Sequence, residues 1–191
     1  MASSTMLALG TVLPEFKLPD VRTAATVGSE DFAGRPLLVV FLCVHCPYVK
    51  HIQAGLAEFS REYAPPALGV VGIASNDAGS HPEDGPENQA KVADQVGYRF
   101  PVLYDETQEV ARAFTAACTP DFFLFAADGR LAYRGQFDDA RPGSEVAVTG
   151  ESLRAAVDSV LEGKSPSGDQ LASRGCSIKW KSETSGLSIS R

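Results

Sequence analysis

The sequence predicts an α/β domain in which helices flank a central sheet. Residues 37–42 form an unbroken apolar run, which is typical of a strand buried on both faces of a sheet. Residues 49–63 follow with apolar side chains at spacings of three and four, the pattern of an amphipathic helix. Residues 68–74 are again apolar, so a strand, a helix and a strand succeed one another as in a parallel sheet.

Shorter elements complete this pattern. Phe16 and Leu18 begin an N-terminal strand. Residues 75–86 lack periodicity and are rich in turn-forming residues, which predicts a surface loop, and Pro86 can open a helix that ends near Val96. The other predicted elements are a strand over 101–104, a helix over 106–114, a hairpin of strands 122–125 and 131–133, and a closing helix over 151–161.

Composition indicates one domain. The chain has 191 residues, of which 44% are hydrophobic, enough to bury a full core. We expect a single domain over residues 1–181, with a C-terminal extension from about residue 163 and a disordered, serine-rich tail over 182–191. The net charge of −7 is dispersed, so we expect no nucleic-acid and no membrane partner. Residues 1–10 lack the pattern of a secretory signal, and we expect a cytoplasmic protein.

Cys43 and Cys46 form a Cys-x-x-Cys pair where the first buried strand ends and the amphipathic helix begins. Pro47 suits the first turn of that helix. The partial positive charge of a helix N-terminus stabilises a thiolate, so we expect the pKa of Cys43 to lie below that of a free thiol, with His45 adding to the effect. Four cysteines are too few for a disulfide scaffold in a chain of this size, so we expect this pair to be catalytic or metal-binding.

Zinc binding is the main alternative for this segment. Its potential ligands are Cys43, His45, Cys46 and His51. A structural zinc site needs four converging groups, and the sequence has neither a second Cys-x-x-Cys nor a His-x-x-x-His. We therefore expect no metal and no other cofactor, and we interpret Lys50 and His51 as solvated positions of the helix.

Four segments together carry a resemblance to a known family, namely 43–51, 118–123, 133–139 and 175–181. The chain resembles the peroxiredoxin-like branch of the alkyl hydroperoxide reductase and thiol-specific antioxidant superfamily. The resemblance implies a thioredoxin-like fold with a central mixed sheet, an N-terminal extension and a C-terminal tail. It also implies a cis peptide bond at Thr119-Pro120, at the start of the strand that faces the two cysteines.

Two departures from related proteins bear on the chemistry. Thioredoxins have a buried acid in the strand before the cysteines, whereas residues 37–41 are all apolar here. Peroxiredoxins set a threonine three residues before the cysteine that attacks peroxide, and they hold an arginine near the cis-proline strand. Matching Cys46-Pro47 to their Cys-Pro places Cys43 at the threonine position and Pro120 at or beside the arginine position.

These features lead us to expect a thiol–disulfide oxidoreductase. In this hypothesis Cys43 attacks a protein or small-molecule disulfide and Cys46 resolves the mixed disulfide, while Thr119-Pro120 presents backbone to an extended substrate. An unidentified thiol would return the enzyme to its reduced form. One alternative is an antioxidant thiol peroxidase that reduces a hydroperoxide with the same cysteines, for which Arg134 is the candidate donor. Another is a redox-inert binding module.

The roles of the other two cysteines stay open at this stage. Cys118 leads into Pro120, where a thiol could resolve or store a disulfide, and a small buried hydrophobe is an equal alternative. Cys176 lies in the C-terminal extension, which Ile178 and Trp180 are expected to pack against the domain. We interpret Cys176 more readily as a structural thiol than as a resolving one.

Overall fold

A computed structural model describes residues 1–63 and 65–182, so the predicted disorder of 182–191 concerns residues that lie almost wholly outside the described part. The strands are β1 (Ala2–Ser3), β2 (Lys17–Pro19), β3 (Thr26–Gly28), β4 (Leu37–Phe41), β5 (Gly69–Ala74), β6 (Val102–Tyr104), β7 (Cys118–Thr119), β8 (Asp121–Phe125), β9 (Leu131–Gly135) and β10 (Arg174–Ser177). The helices are α1 (Pro47–Glu62), α2 (Pro86–Val96), α3 (Glu109–Ala113) and α4 (Glu151–Leu161). No helix in the described residues is long and apolar enough to cross a membrane.

The central sheet is mixed, as expected. Its five strands lie in the order β6-β5-β4-β8-β9. β4, β5 and β6 run parallel, whereas β8 runs antiparallel to both β4 and β9. All five residues of β4 are buried, which explains the unbroken apolar run in the sequence.

Two apolar clusters pack on opposite faces of this sheet. Because side chains alternate along a strand, Leu38 and Val40 of β4 point to one face, where helices α1 and α4 pack. Val39 and Phe41 point to the other face, where α3 packs. Cys43 and Cys46 belong to the first cluster, and Ile178 of the C-terminal extension belongs to the second. The C-terminal extension therefore contributes to the core.

The loop over residues 75–86 differs from the prediction. Pro82–Asp84 form a short 3₁₀ helix, and three polar side chains of the loop, those of Ser75, Asn76 and Asp84, are buried. The Ser75 hydroxyl donates to Asp105 at 2.9 Å, and the Asn76 amide donates to Asp84 at 2.7 Å. These hydrogen bonds compensate the cost of removing polar groups from water, so turn-rich composition alone was a poor guide to exposure.

A small three-stranded sheet joins an N-terminal strand, β1, to a strand of the C-terminal extension, β10. Its order is β1-β10-β7, and both pairings are antiparallel. β10 was not predicted as a strand. It places Cys176 opposite Thr119.

Candidate active site

The two cysteines of the Cys-x-x-Cys pair lie between the end of β4 and the start of α1. Cys46 is the N-cap residue of the helix and Pro47 takes its first position. A residue that precedes proline is disfavoured in the helical conformation, and Cys46 is extended, with φ −65° and ψ 123°. The helix therefore cannot begin earlier, so its positive end lies at Cys46, three residues beyond Cys43.

Thr119 contacts both sulfur atoms. Its Oγ1 lies 3.1 Å from Sγ of Cys43, and its carbonyl oxygen lies 3.1 Å from Sγ of Cys46. The Thr119-Pro120 peptide bond is cis, which confirms the geometry that the resemblance implied. Cys43 is 2% exposed and Cys46 is 0% exposed, so the contacts form in a buried site.

The interaction between the two neighbouring cysteines separates the pKa values of their thiols. Cys43 is the main group that lowers the pKa of Cys46, with smaller effects of Cys176 and the backbone of Val49, and burial opposes them. Cys46 in turn, followed by burial, raises the pKa of Cys43, and the hydrogen bond to Thr119 opposes this rise. The sequence predicted Cys43 as the low-pKa thiol, whereas the surroundings of the pair favour Cys46, the N-cap residue at the positive end of α1.

Asp84 holds the turn between the two cysteines, a role that the sequence analysis missed. Its Oδ1 accepts hydrogen bonds from the backbone N–H groups of Val44 and His45, at 2.8 and 3.1 Å. Its Oδ2 bonds to Nδ1 of His45 and accepts from the Asn76 amide. The Asp84 side chain is fully buried and that of His45 is largely buried, so the imidazole of His45 is directed at a carboxylate. Asp84 therefore holds the Cys-x-x-Cys turn in place through hydrogen bonds to the backbone of the turn and to His45.

The zinc alternative can be tested on the same atoms. Cys43, His45 and Asp84 each offer one potential ligand atom, and these atoms lie within 4.8 Å of one another. However, each oxygen of Asp84 already accepts two hydrogen bonds, which suits an anchor for the turn better than a metal ligand. His51 does not join the group, and its Nε2 is buried without a hydrogen-bond partner in the described residues, contrary to the expected solvated position.

The remaining two cysteines differ in their surroundings. Cys118 is fully buried, its Sγ lies 3.6 Å from the carbonyl oxygen of Pro120, and burial raises the pKa of its thiol. These properties fit a small buried side chain. Cys176 is only partly buried, pairs with Thr119 and packs against the apolar cluster that contains Cys43 and Cys46. The structure therefore brings Cys176 to the Cys-x-x-Cys pair, although the sequence analysis favoured a purely structural thiol.

Arg134 does not serve the site as the sequence analysis suggested. Its Nε donates to the carbonyl oxygen of Leu7 at 2.8 Å, and a guanidinium nitrogen donates to the Gln170 side chain at 2.7 Å. Within residues 1–63 and 65–182, the hydrogen bonds to Cys43 and Cys46 include none from a guanidinium.

Comparison with known proteins assigns the family. Residues 9–134, more than half of the chain, match the model of the AhpC/TSA family. The chain belongs to the AhpC/TSA family. The matched segment of this AhpC/TSA protein includes Cys43, Cys46 and the Thr119-Pro120 bond.

Three other proteins place this AhpC/TSA chain among its relatives. An uncharacterized conserved protein from Geobacillus kaustophilus is 50% identical, with a TM-score of 0.91 over 94% of this chain and 96% of that chain. A protein from Mycobacterium tuberculosis (strain CDC 1551 / Oshkosh), named as a candidate peroxiredoxin, is 30% identical over 117 residues, which are 61% of this chain and 69% of that protein. A Chlorobium tepidum protein, named as a candidate thiol:disulfide interchange protein DsbE, is 21% identical, with a TM-score of 0.57 over 67% of this chain and 84% of its own.

The last similarity shows the fold alone, and that fold is thioredoxin-like, as the resemblance implied. Family and neighbours together indicate a redox enzyme of the thiol–disulfide oxidoreductase or peroxiredoxin kind.

Proposed function

We propose that this protein is a thiol–disulfide oxidoreductase that cycles Cys43 and Cys46 between dithiol and disulfide, with Cys46 as the attacking thiolate. One observation carries the proposal. Cys46 is the N-cap residue of α1, where the positive end of the helix favours a thiolate, and the neighbouring Cys43 also lowers the pKa of Cys46. A thiolate is the nucleophile in disulfide exchange, and a neighbouring thiol can complete the reaction. The roles of the two cysteines are thus the reverse of those expected from the sequence.

The reaction would proceed in two exchanges. The Cys46 thiolate attacks one sulfur of a substrate disulfide, forms a mixed disulfide and releases the other sulfur as a thiolate, which takes up a proton. Cys43 then loses its proton and attacks the Cys46 sulfur, which forms the Cys43–Cys46 disulfide and releases the second substrate thiolate. Two electrons pass from the enzyme dithiol to the substrate, and an external thiol restores them.

Thr119 supports the second exchange. Its hydroxyl lies 3.1 Å from Sγ of Cys43, and this hydrogen bond lowers the pKa of Cys43 against the larger effects of Cys46 and burial. The hydroxyl can donate to the thiolate that forms on Cys43 as it attacks. Once Cys46 is part of a mixed disulfide, it no longer carries the charge that opposes ionisation of Cys43.

Reduction of hydroperoxides is the second candidate function. Cys46-Pro47 at the start of α1 matches the Cys-Pro of peroxiredoxins, and the AhpC/TSA family match favours the same chemistry. A peroxidase also needs donors that stabilise the leaving oxygen. Cys43 occupies the usual threonine position and Arg134 bonds elsewhere, so disulfide exchange has more support from this site.

Competitive alkylation tests the assignment of the attacking thiol. The reduced protein is labelled with iodoacetamide between pH 5 and pH 8, and the labelled peptides are quantified by mass spectrometry. We expect Cys46 to be labelled before Cys43 at each pH. With oxidised glutathione as substrate, Cys46→Ser should form no mixed disulfide at residue 43, and a variant with both Cys43→Ser and Cys176→Ser should accumulate one at Cys46. Faster labelling of Cys43 would restore the roles expected from the sequence.

Rates with two oxidants separate the candidate functions. We expect the reduced protein to react faster with oxidised glutathione than with hydrogen peroxide when the fluorescence of Trp180 is followed by stopped flow. A peroxide rate constant far above that of an ordinary thiol of matched pKa would favour the peroxidase instead.

A further inference from the structure

β10 occupies the backbone edge that an extended substrate was expected to use. It pairs antiparallel with β7, so Cys176 lies opposite Thr119 and Ser177 lies opposite Cys118. The approach is close, because a Cβ atom on Gly175 would lie 1.9 Å from the carbonyl oxygen of Thr119. The chain thus places its own strand, with its own cysteine, along the edge formed by Thr119.

Contacts on both sides hold this strand in place. β1 pairs with its outer edge, with Ala2 opposite Gly175. Beyond β10, the buried side chain of Ile178 packs in the core, and the ring of Trp180 lies 4.7 Å from the guanidinium of Arg112. Backbone groups of Lys179 and Lys181 bond to side chains of the loop over 75–86 and of Gln108. The position of Cys176 is therefore set by the fold and is not that of a free chain end.

Cys176 also differs from Cys43 in its access to solvent. Cys43 is 2% exposed, whereas Cys176 is only partly buried. A thiol from solution can therefore reach the sulfur of Cys176 more easily than that of Cys43. The strand pairing places Cys176 opposite Thr119, whose carbonyl oxygen lies 3.1 Å from Sγ of Cys46, and Cys176 packs against the cluster that contains Cys46.

We propose that Cys176 is a third redox cysteine, which forms a disulfide with Cys46 and carries the oxidised state from the buried pair to an external thiol. This inference rests on the proposed function, in which Cys46 attacks the substrate. The class of reductant is a small thiol such as glutathione, which would attack the partly accessible Cys176.

The electron balance of this route is complete. The thiolate of Cys176 attacks the Cys46 sulfur of the Cys43–Cys46 disulfide, forms the Cys46–Cys176 bond and releases Cys43 as a thiolate, which takes up the proton that Cys176 gave up. Where Cys43 is replaced, the same attack on the mixed disulfide at Cys46 releases the substrate thiolate. An external thiolate then attacks Cys176 and releases Cys46 as a thiolate. A second external thiol removes the first as a disulfide and restores Cys176. Cys46 is the favourable leaving group because a sulfur of low pKa leaves faster.

The charge on Cys46 would control when Cys176 reacts. Burial first, and the Cys46 sulfur second, raise the pKa of Cys176, whereas Lys179 and the N-terminal amine lower it. Formation of the mixed disulfide removes the negative charge of Cys46. Cys176 then ionises more easily, at the step in which its thiolate must attack.

Disulfide mapping of the full-length protein tests this inference. The reduced protein is treated with substoichiometric oxidised glutathione, quenched by alkylation in acid, digested and analysed for linked peptides by mass spectrometry. In Cys43→Ser we expect the Cys46–Cys176 peptide as the main product, whereas in Cys43→Ser with Cys176→Ser we expect glutathione to stay on Cys46. Cys43→Ser with Cys118→Ser is the matched control and should still form the Cys46–Cys176 link.

Two negative results have different meanings. Glutathione retained on Cys46 of Cys43→Ser, with Cys176 free, would overturn the role of Cys176 and leave the proposed function intact. Failure of Cys46 to react in the wild-type protein would overturn both. A kinetic measurement complements the mapping, because Cys176→Ser should slow the reduction of the oxidised enzyme by glutathione at least about tenfold, whereas an unchanged rate would contradict the relay.

Discussion

Thr119 is the residue of the facing strand that contacts the sulfurs of both Cys43 and Cys46. Its hydroxyl is within hydrogen-bond distance of Sγ of Cys43, its carbonyl oxygen contacts Sγ of Cys46, and it pairs with Cys176 in the small sheet. Each of these groups acts on a different cysteine, so substitution of the side chain should affect one step and leave the others in place.

Removal of the Thr119 hydroxyl should slow resolution by Cys43. Thr119→Val keeps the side-chain volume but loses the hydrogen bond to Cys43, which is worth about 1 kcal/mol, or somewhat less than a factor of ten in rate. Release of glutathione from a preformed mixed disulfide at Cys46, followed by mass spectrometry, measures this step. Thr119→Ser keeps the hydroxyl and is the control. Equal release rates in Thr119→Val and the wild type would show that the hydroxyl does not assist Cys43.

Asp121 should make stability depend on pH. Burial raises its pKa to about 7, from 3.8. Between these values the folded state keeps a proton that the unfolded state has lost, so the free energy of unfolding falls as pH rises from about 4 to about 7. The full difference is at most about 4 kcal/mol. Urea denaturation at pH 5 and pH 7.5 covers the upper part of this range, a difference of at most about 3 kcal/mol, and Asp121→Asn should remove most of that difference. Parallel pH profiles for wild type and variant would contradict this assignment.

Local motifs made part of the site predictable. The Cys-x-x-Cys spacing and Thr119-Pro120 are short patterns that carry their chemistry within a few residues. The start of α1 at Cys46 could also have been predicted, because Pro47 restricts Cys46 to an extended conformation. The role of Asp84 could not be predicted, because its contacts to Val44 and His45 join segments about 40 residues apart in the sequence.

Among the helices and strands, those with regular apolar spacing were the ones that the sequence predicted. Helices α2 and α4 match their predicted ranges because their apolar spacing is regular and proline or glycine marks their ends. The sequence of β10 is Arg-Gly-Cys-Ser, which has no apolar alternation, and its pairing with β7 depends on backbone groups that any sequence carries. β10, the strand that carries Cys176, could therefore not be predicted from the sequence pattern.

Gly175 is the residue through which the position of β10 can be tested. A Cβ atom there would overlap the Thr119 carbonyl oxygen at 1.9 Å, so Gly175→Ala must move β10 away from β7. We expect faster alkylation of Cys176 and a smaller yield of the Cys46–Cys176 disulfide. Gly168→Ala is the control, because an added Cβ there meets no atom within 4 Å. Equal labelling of Cys176 in both variants would show that the strand pairing does not position its thiol.

At the scale of the whole molecule, the sheet brings the reactive groups together. β4 and β8 are neighbours with Phe41 opposite Asp121, so the end of one strand meets the start of the other. Cys43 follows the first and Pro120 precedes the second. β10 then covers this junction, and the two cysteines of the pair are 2% and 0% exposed. The closed site should restrict the size of the substrate.

We therefore expect small disulfides to be better substrates than folded proteins. Oxidised glutathione should be reduced faster than a disulfide in a protein, because an extended polypeptide would have to displace β10 from Thr119, whereas a small disulfide needs only local access to Cys46. The ratio of the two rate constants, measured with excess substrate under single-turnover conditions, tests this expectation. Gly175→Ala, which loosens β10, should bring the two rate constants closer together by accelerating the protein reaction. A protein disulfide that reacts with the wild-type enzyme as fast as glutathione disulfide would mean that β10 opens readily and does not limit access.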